Sequence, residues 1–251
     1  DSDPSSATGI NQTVIGYNTT GQADNSVTLG NGDVTAVYMA QDSGATVYCA
    51  GLNIGGSAVS LNNLNDVLIE NNSFFVGSVP TSTDNAVNNL GLGPSTLSVI
   101  TTGDHNIAFG KSSLELLTTG YENVSIGVES SKSITSAYQN TFIGYKSGHS
   151  NQTSSNNVGL GYKSLLNCTS ANNVAIGSSS GNGITTGSNN TIIGSNSNAY
   201  SAIGTNQIVL GYNTTGLADN SVTLGNSDVT AVYMAQDSGA TVYCGGLNIG
   251  G

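Results

Sequence analysis

The chain lacks arginine and tryptophan, and lysine supplies only four of its 251 residues. With a formal net charge of −11, it has no basic face to neutralise nucleic-acid phosphates or to bind an anionic membrane surface. No run of about eighteen apolar residues occurs, so we predict that no segment spans a membrane. These absences exclude nucleic acids and membranes as expected partners.

Cysteine and histidine are also scarce, with three cysteines and two histidines in the whole chain. No CxxC motif or Cys/His cluster with metal-ligand spacing occurs, and the GGxGxD repeat of calcium-binding β-rolls is missing. Cys49 and Cys244 occupy equivalent places in a duplicated segment, which favours buried small apolar groups over a redox pair. We therefore expect no metal site and no cofactor.

Residues able to carry catalysis are few and dispersed. A catalytic site needs a nucleophile beside a base, or two carboxyl groups at a defined separation. Asp104 and His105 precede one repeat unit and His149 lies in a later loop, and the repeat brings no partner close to either histidine. Three glutamates are scattered over loops, at Glu115, Glu122 and Glu129. We predict that the chain is not an enzyme and that both histidines are exposed loop residues.

Glycine, asparagine, serine and threonine dominate what is present, with 34 glycines and only 8% charged residues. Short uncharged polar side chains favour turns and side-chain ladders over helices. Such a bias is also typical of disorder, but 37% of the residues are hydrophobic and they recur regularly. A periodic core is the better interpretation.

A long repeat joins the two ends of the sequence. Residues 12–56 and 207–251 are related by an offset of 195 residues and are identical at 40 of 45 positions. Since the chain opens Asp1-Ser2-Asp3-Pro4, without methionine or a signal peptide, we expect a processed form or a piece of a longer tandem array. A subunit with two similar ends is the alternative.

A short repeat runs between these copies and is marked by glycine. The glycines are spaced by 17 residues in most intervals, by 16 in one and by 14 in the last. Each closes a short apolar unit such as NNVAIG or NNTIIG, and is predicted to adopt a turn conformation that other residues avoid. The nine turn glycines are Gly93, Gly110, Gly127, Gly144, Gly161, Gly177, Gly194, Gly211 and Gly225.

Strand alternation divides each unit between two faces. We predict that the first and third residues point into the core, as in Val174 and Ile176, and that the middle residue, here Ala175, points the other way. A second, weaker apolar position follows each glycine and predicts a second short strand per turn. Its members are Leu114, Leu117, Ile134, Leu165 and Ile184.

The predicted fold is all-β, a parallel β-roll with coils of about 14–17 residues, carrying duplicated β-hairpin cassettes. Asparagine pairs at equivalent places, such as Asn156/Asn157 and Asn172/Asn173, are expected to form hydrogen-bonded ladders along the roll. The predicted organisation is the end of a preceding roll over residues 1–31, a β-rich cassette over 32–56, a non-periodic connector and roll start over 57–87, the main β-roll over 88–226, and the second cassette over 227–251.

The units NNVAIG, NNTIIG and DNSVTLG resemble the NSVAIG-type repeat of YadA-like head domains in trimeric autotransporter adhesins, and similar repeats of phage and large-virus fibres. The resemblance covers about residues 88–225 and 9–30 and implies a left-handed parallel β-roll, three chains side by side, and an extracellular fibre or adhesin. The 17-residue period is longer than the usual unit of that family, and the cassettes are not head repeats.

Two kinds of surface position stand out. Tyrosine recurs after the glycine at Tyr145 and Tyr162, where it forms either a receptor or glycan surface or a packing seam between subunits. Among several Asn-x-Ser/Thr sequons, the loop positions Asn151 and Asn167 are the candidates for glycosylation.

The leading functional hypothesis is an extracellular, homotrimeric structural fibre or filament protein, with the roll as a spacer and an adhesive surface for a cell-surface or glycan receptor. The first alternative is a self-assembling helical filament joined through the duplicated cassettes. The second is a monomeric solenoid that binds ice or a glycan, although only Thr28 and Thr223 place threonine at the middle of a unit.

Overall fold

The computed structural model describes residues 2–33, 53–54, 57–58, 66–77, 80 and 83–233. These residues are strands and turns without any helix, in two compact units, residues 1–58 and 59–251. The all-β, parallel β-solenoid fold predicted from the repeat is confirmed. Most of the cassettes over 32–56 and 227–251 lies outside the described residues, which include 32–33, 53–54 and 227–233 of them. Cys49 and Cys244 lie outside the described residues.

The described residues of unit 1 form six short strands: β1 (Ser2–Asp3), β2 (Gln12–Ile15), β3 (Thr19–Thr20), β4 (Ser26–Leu29), β5 (Asn53–Ile54) and β6 (Ser57–Ala58). Strand β2 pairs with β4 in parallel, 14 residues later, and β1 pairs with β3 in the same sense. Strands β5 and β6 form a short antiparallel pair.

Unit 2 is one eleven-stranded sheet whose strands follow the order of the sequence. It begins with an antiparallel hairpin, β7 (Val67–Glu70) and β8 (Ser73–Val76), and every later pairing is parallel. The remaining strands are β9 (Leu90–Leu92), β10 (Ile107–Phe109), β11 (Val124–Ile126), β12 (Thr141–Ile143), β13 (Val158–Leu160), β14 (Val174–Ile176), β15 (Thr191–Ile193), β16 (Gln207–Leu210) and β17 (Ser221–Leu224).

The turn glycine after each strand allows successive coils to stack closely. From Gly93 to Gly211 these glycines have φ between 118° and 141°, a region that L side chains rarely adopt. A Cβ atom on Gly110 would lie 2.8 Å from the carbonyl carbon of Gly127 in the next coil. The glycine row therefore reflects both backbone conformation and the close approach of neighbouring backbones.

The predicted orientation of the strand residues was wrong. The middle residue of each strand from β9 to β15 is buried, as Ala108 and Phe142 show, and so is Val209 in β16, whereas the residues on either side face outward. The cause is the residue before the strand: Asn106 and its equivalents point into the roll, and alternation then turns the next residue outward. An inward polar residue fixes the register because its hydrogen bonds are all satisfied inside.

The predicted second strand per coil was also wrong for most of the roll. After the glycine the chain forms a run of turns that includes non-glycine residues at positive φ, such as Leu114 and Leu165 at φ 48°. The apolar side chains of this segment nevertheless complete the core as the sequence indicated. Leu114, Leu117, Ile134, Leu165 and Ile184 are all buried against the strand residues.

Buried asparagines form a continuous hydrogen-bonded ladder along unit 2. In each step the Oδ1 atom accepts a hydrogen bond from the backbone N–H of the equivalent residue in the next coil, as between Asn140 and Asn157 at 3.0 Å. The Nδ2 atom donates to loop carbonyl groups, for example from Asn157 to Ser170 at 2.9 Å. The ladder comprises Asn89, Asn106, Asn123, Asn140, Asn157, Asn173 and Asn190 and ends at Gln207.

Candidate functional surfaces

The outward residues of the strands create an apolar face along the roll. From β10 to β17 this face presents large hydrophobic side chains that are 37% to 60% exposed. The strands pair in register, so equivalent side chains form straight rows at a spacing of about 4.8 Å. The most exposed members are Ile107, Phe109, Ile126, Ile143, Ile176, Ile193, Ile208, Val222 and Leu224.

No charged residue interrupts this face between β9 and β17, where the outward positions carry Leu, Ile, Val, Phe or Thr. Large exposed apolar patches of this kind mark interaction sites on soluble proteins. The sequence identified the residues of this face but predicted that they formed the core. Only the structure shows that they lie on the surface.

Tyrosine and lysine meet at the corner that follows the turn glycines. The rings of Tyr145 and Tyr162 stack with centroids 5.5 Å apart and planes 16° apart, and both side chains are well exposed. The Nζ atoms of Lys146 and Lys163 lie 5.4 Å and 5.1 Å from the centroids of these rings. The two tyrosines that the sequence singled out are thus exposed and brought together.

An ionic cluster lies beside this corner. Glu129 contacts Lys146 at 3.2 Å and the Nε2 atom of His149 at 3.5 Å. The hydrogen bond from Lys146 lowers the pKa of the Glu129 carboxyl, and the same contact raises the pKa of Lys146. Burial, together with the Lys146 charge, lowers the pKa of His149 and favours the neutral ring. His149 therefore has a carboxylate neighbour that its sequence position did not predict.

The other candidate acid–base residues are used in coil-to-coil contacts. Asp104 accepts a hydrogen bond from the backbone N–H of Val87 at 2.9 Å, and His105 lies 3.1 Å from the side chain of Asn88. Glu115 pairs with Lys132 at 3.3 Å. Within the described residues no group of three or more His, Cys, Asp or Glu side chains could hold a metal ion, and Cys168 is a free, buried thiol.

The two sequons have different surroundings. Asn151 is fully buried, and its side chain exchanges hydrogen bonds with the backbone of Ser154 at 2.7 Å and 2.9 Å. It is therefore not accessible for glycosylation in the folded roll, which corrects the sequence-based expectation. Asn167 is exposed, although its Nδ2 atom donates to the carbonyl of Asn182 at 2.8 Å.

A row of residues at positive φ precedes the ladder asparagines. Asparagine occupies most of its places, as at Asn156 and Asn172, and tolerates this backbone region better than most residues. Glu122 and Gln139 occupy the same places at φ 56° and 55°. Both are exposed, and their side chains contact each other at 2.9 Å.

We predict that the double substitution Glu122→Asn and Gln139→Asn raises the free energy of unfolding by about 1 kcal/mol. The backbone keeps its positive φ at both positions, and asparagine tolerates that region better than glutamate or glutamine. Urea denaturation measures the change. The matched control is Asn156→Gln, which should lower stability by a similar amount per residue. Unchanged or reduced stability of the double variant would contradict the argument.

The duplicated ends differ in how well they are covered. In unit 2, Gln207 and Val209 are fully buried, and the Gln207 N–H donates to Asn190 of the preceding coil at 3.1 Å. Their counterparts in unit 1, Gln12 and Val14, are only half-buried, and among the described residues β2 pairs with β4 alone. The two copies differ in burial because the coil of β15 packs against β16.

No helix in the described part of the chain is long and apolar enough to cross a membrane. No family model, curated protein or solved structure matches the sequence or the fold. The resemblance to YadA-like head repeats is therefore carried by the short sequence units alone.

Proposed function

We propose that the chain is a structural, extracellular fibre protein, without catalytic activity, whose roll assembles side by side with two identical copies. The observation that carries this proposal is the exposed apolar face of the sheet, which runs from β10 to β17 without a charged residue. The YadA-like sequence units imply the same trimeric arrangement. We also propose that the surface of the roll adheres to a cell-surface or glycan receptor.

Identical copies are the partners that suit this face. Its rows repeat at the spacing of the coils, so a second roll can place its own rows against them at many equivalent contacts. Full burial of a large hydrophobic side chain contributes about 1.5–3 kcal/mol. Nine such side chains are available per chain, and because each is only 37% to 60% exposed, its burial adds about half of that value. The hydrophobic core of each roll is formed by residues of that roll alone, so assembly requires no refolding of the core.

The oligomer is tested by native mass spectrometry and light scattering on the full chain. Three chains of 25.2 kDa give a trimer of about 76 kDa. We expect the wild type to be trimeric and the double variant Ile143→Asp, Ile176→Asp to dissociate at concentrations at least 100-fold higher, because charges are buried at the contact. Val99→Asp, at an exposed site in a turn, is the control and should stay trimeric. A wild type that is monomeric at all concentrations would refute the proposal.

A second candidate function, a filament extended end to end through the duplicated segments, is favoured by the near-identity of residues 12–56 and 207–251, which match at 40 of 45 positions. Negative-stain images of the same preparations distinguish the two assemblies. Rods of uniform length support the side-by-side fibre, whereas open-ended polymers support the filament.

A further inference from the structure

The corner that follows the turn glycines changes character along unit 2. Tyrosine occupies two successive coils at Tyr145 and Tyr162, serine occupies the next two at Ser178 and Ser195, and tyrosine returns at Tyr212. The small serine side chains interrupt the row of aromatic rings. Because serine is much smaller than tyrosine, we infer a groove along this row, with Tyr162 at one end and Tyr212 at the other.

The length of the groove follows from the stacking of the coils. Three coil spacings of about 4.8 Å separate the two tyrosine positions, a distance of about 14 Å. The ring of Tyr162 stacks on Tyr145 and also has the Nζ atom of Lys163 5.1 Å from its centroid, so Lys163 stands at this end of the groove. Tyr212 is among the most exposed aromatic residues, at 68%.

Backbone hydrogen bonds hold the floor of the groove in place. The N–H of Ser179 donates to the carbonyl of Tyr162 at 2.7 Å, and the N–H of Asn196 donates to the carbonyl of Ser178 at 2.8 Å. Asn213 continues the series to the carbonyl of Ser195 at 2.9 Å. The floor is therefore part of the rigid roll rather than a mobile loop, and it is preorganised for a ligand.

The lining of the groove combines three kinds of chemistry. The tyrosine rings offer apolar faces for stacking, and the exposed side chains of Ser178 and Asn196 offer hydroxyl and amide groups. Lys163 adds a positive charge, and among the described residues no carboxylate lies within ion-pair distance of it, in contrast to Lys146. Flat apolar ring faces, hydroxyl groups and one anionic group are the complementary features of an acidic saccharide.

We propose that the groove between Tyr162 and Tyr212 binds a short acidic saccharide, with its acidic group at Lys163 and a sugar ring stacked on Tyr212. The hydroxyl and amide side chains of Ser178 and Asn196 hydrogen-bond the sugar hydroxyl groups. The site belongs to a single roll and does not depend on the proposed trimer.

The decisive variant fills the groove with a residue that this position already accepts in three other coils of unit 2. Ser178→Tyr continues the stacked row of Tyr145 and Tyr162, so the fold and its melting temperature are retained or improved. The full-length wild type and this variant are compared on arrays of sialylated, sulfated, uronic-acid-containing and neutral glycans. We expect the wild type to bind acidic glycans and the variant to bind them at least 10-fold more weakly.

Two further variants separate charge from shape. Lys163→Ser places the residue of the next coil at this position and should remove the preference for acidic over neutral glycans. Tyr121→Ser alters the stacked pair of Tyr121 and Tyr138, which precedes the strands instead of following them, and should leave binding unchanged. A wild type that binds no acidic glycan, or Ser178→Tyr binding as tightly as the wild type, would overturn the proposal. Light scattering of the same samples tests the trimer separately.

Discussion

Replacing Phe142 with alanine is expected to lower the free energy of unfolding by about 3–5 kcal/mol, the usual loss for a fully buried phenylalanine. The ring fills space that two glycines leave open. A Cβ atom on Gly148 would lie 2.5 Å from the ring, and one on Gly159, in the next coil, would lie 2.7 Å from it. The cavity cannot collapse easily, because neighbouring coils hold the backbone at a fixed spacing.

A compensating substitution tests this explanation. Another coil combines Ala108 with Leu114, which stands at the place of Gly148 and has φ 48°, close to the 61° of Gly148. The double variant Phe142→Ala, Gly148→Leu reproduces that combination and should recover at least half of the lost stability in urea denaturation. A double variant no more stable than Phe142→Ala would show that a leucine side chain at position 148 does not fill the space left by the ring of Phe142.

Asn157→Asp is expected to destabilise the roll by about 3 kcal/mol or more at neutral pH. Asn157 is fully buried, its Oδ1 atom accepts from the N–H of Asn173 at 2.9 Å, and its Nδ2 atom donates to the carbonyl of Ser170 at 2.9 Å. A carboxylate preserves the acceptor but places a buried charge against that carbonyl, which then keeps only the weak thiol donor of Cys168 at 3.4 Å.

The neighbouring Asn156→Asp is the matched control, because this side chain is exposed and the change should alter stability by less than about 1 kcal/mol. Burial raises the folded-state pKa of the carboxyl introduced at position 157 above its unfolded value. The Asn157→Asp variant should therefore be least destabilised at low pH, and should lose stability as the pH rises from the unfolded pKa towards the raised folded pKa. Equal effects of the two variants in urea denaturation would contradict a buried ladder.

The sequence predicted the elements of the fold that depend on local chemistry. The glycine spacing identified the coils because a positive φ and close backbone contact are requirements that glycine alone meets well. The paired asparagines indicated a ladder, and the second residue of each pair forms it. The apolar residues after the glycine were correctly placed in the core, as Leu165 and Ile184 illustrate.

A second row of buried hydroxyl groups was missed by the sequence reasoning. Ser113, Ser147 and Ser180 donate hydrogen bonds to strand carbonyl groups of the next coil, at 2.8 Å, 2.9 Å and 3.0 Å. The signal was present as a serine or threonine three residues after each glycine from Gly93 to Gly211, but both residues are so abundant here that their recurrence carried little weight. Burial alone distinguishes these serines from exposed ones.

The sequence by itself determined the period, the turn positions and the polar ladder of this protein, because each depends on backbone conformation or on contacts with an equivalent residue one coil away. Only the tertiary structure decided which side of each strand is the interior. By hydrophobicity alone, the residues on either side of the middle position are the better core candidates. The inward asparagine before the strand turns them outward, because successive side chains alternate between the two faces. The apolar residues taken for the core thus form the face available to other chains.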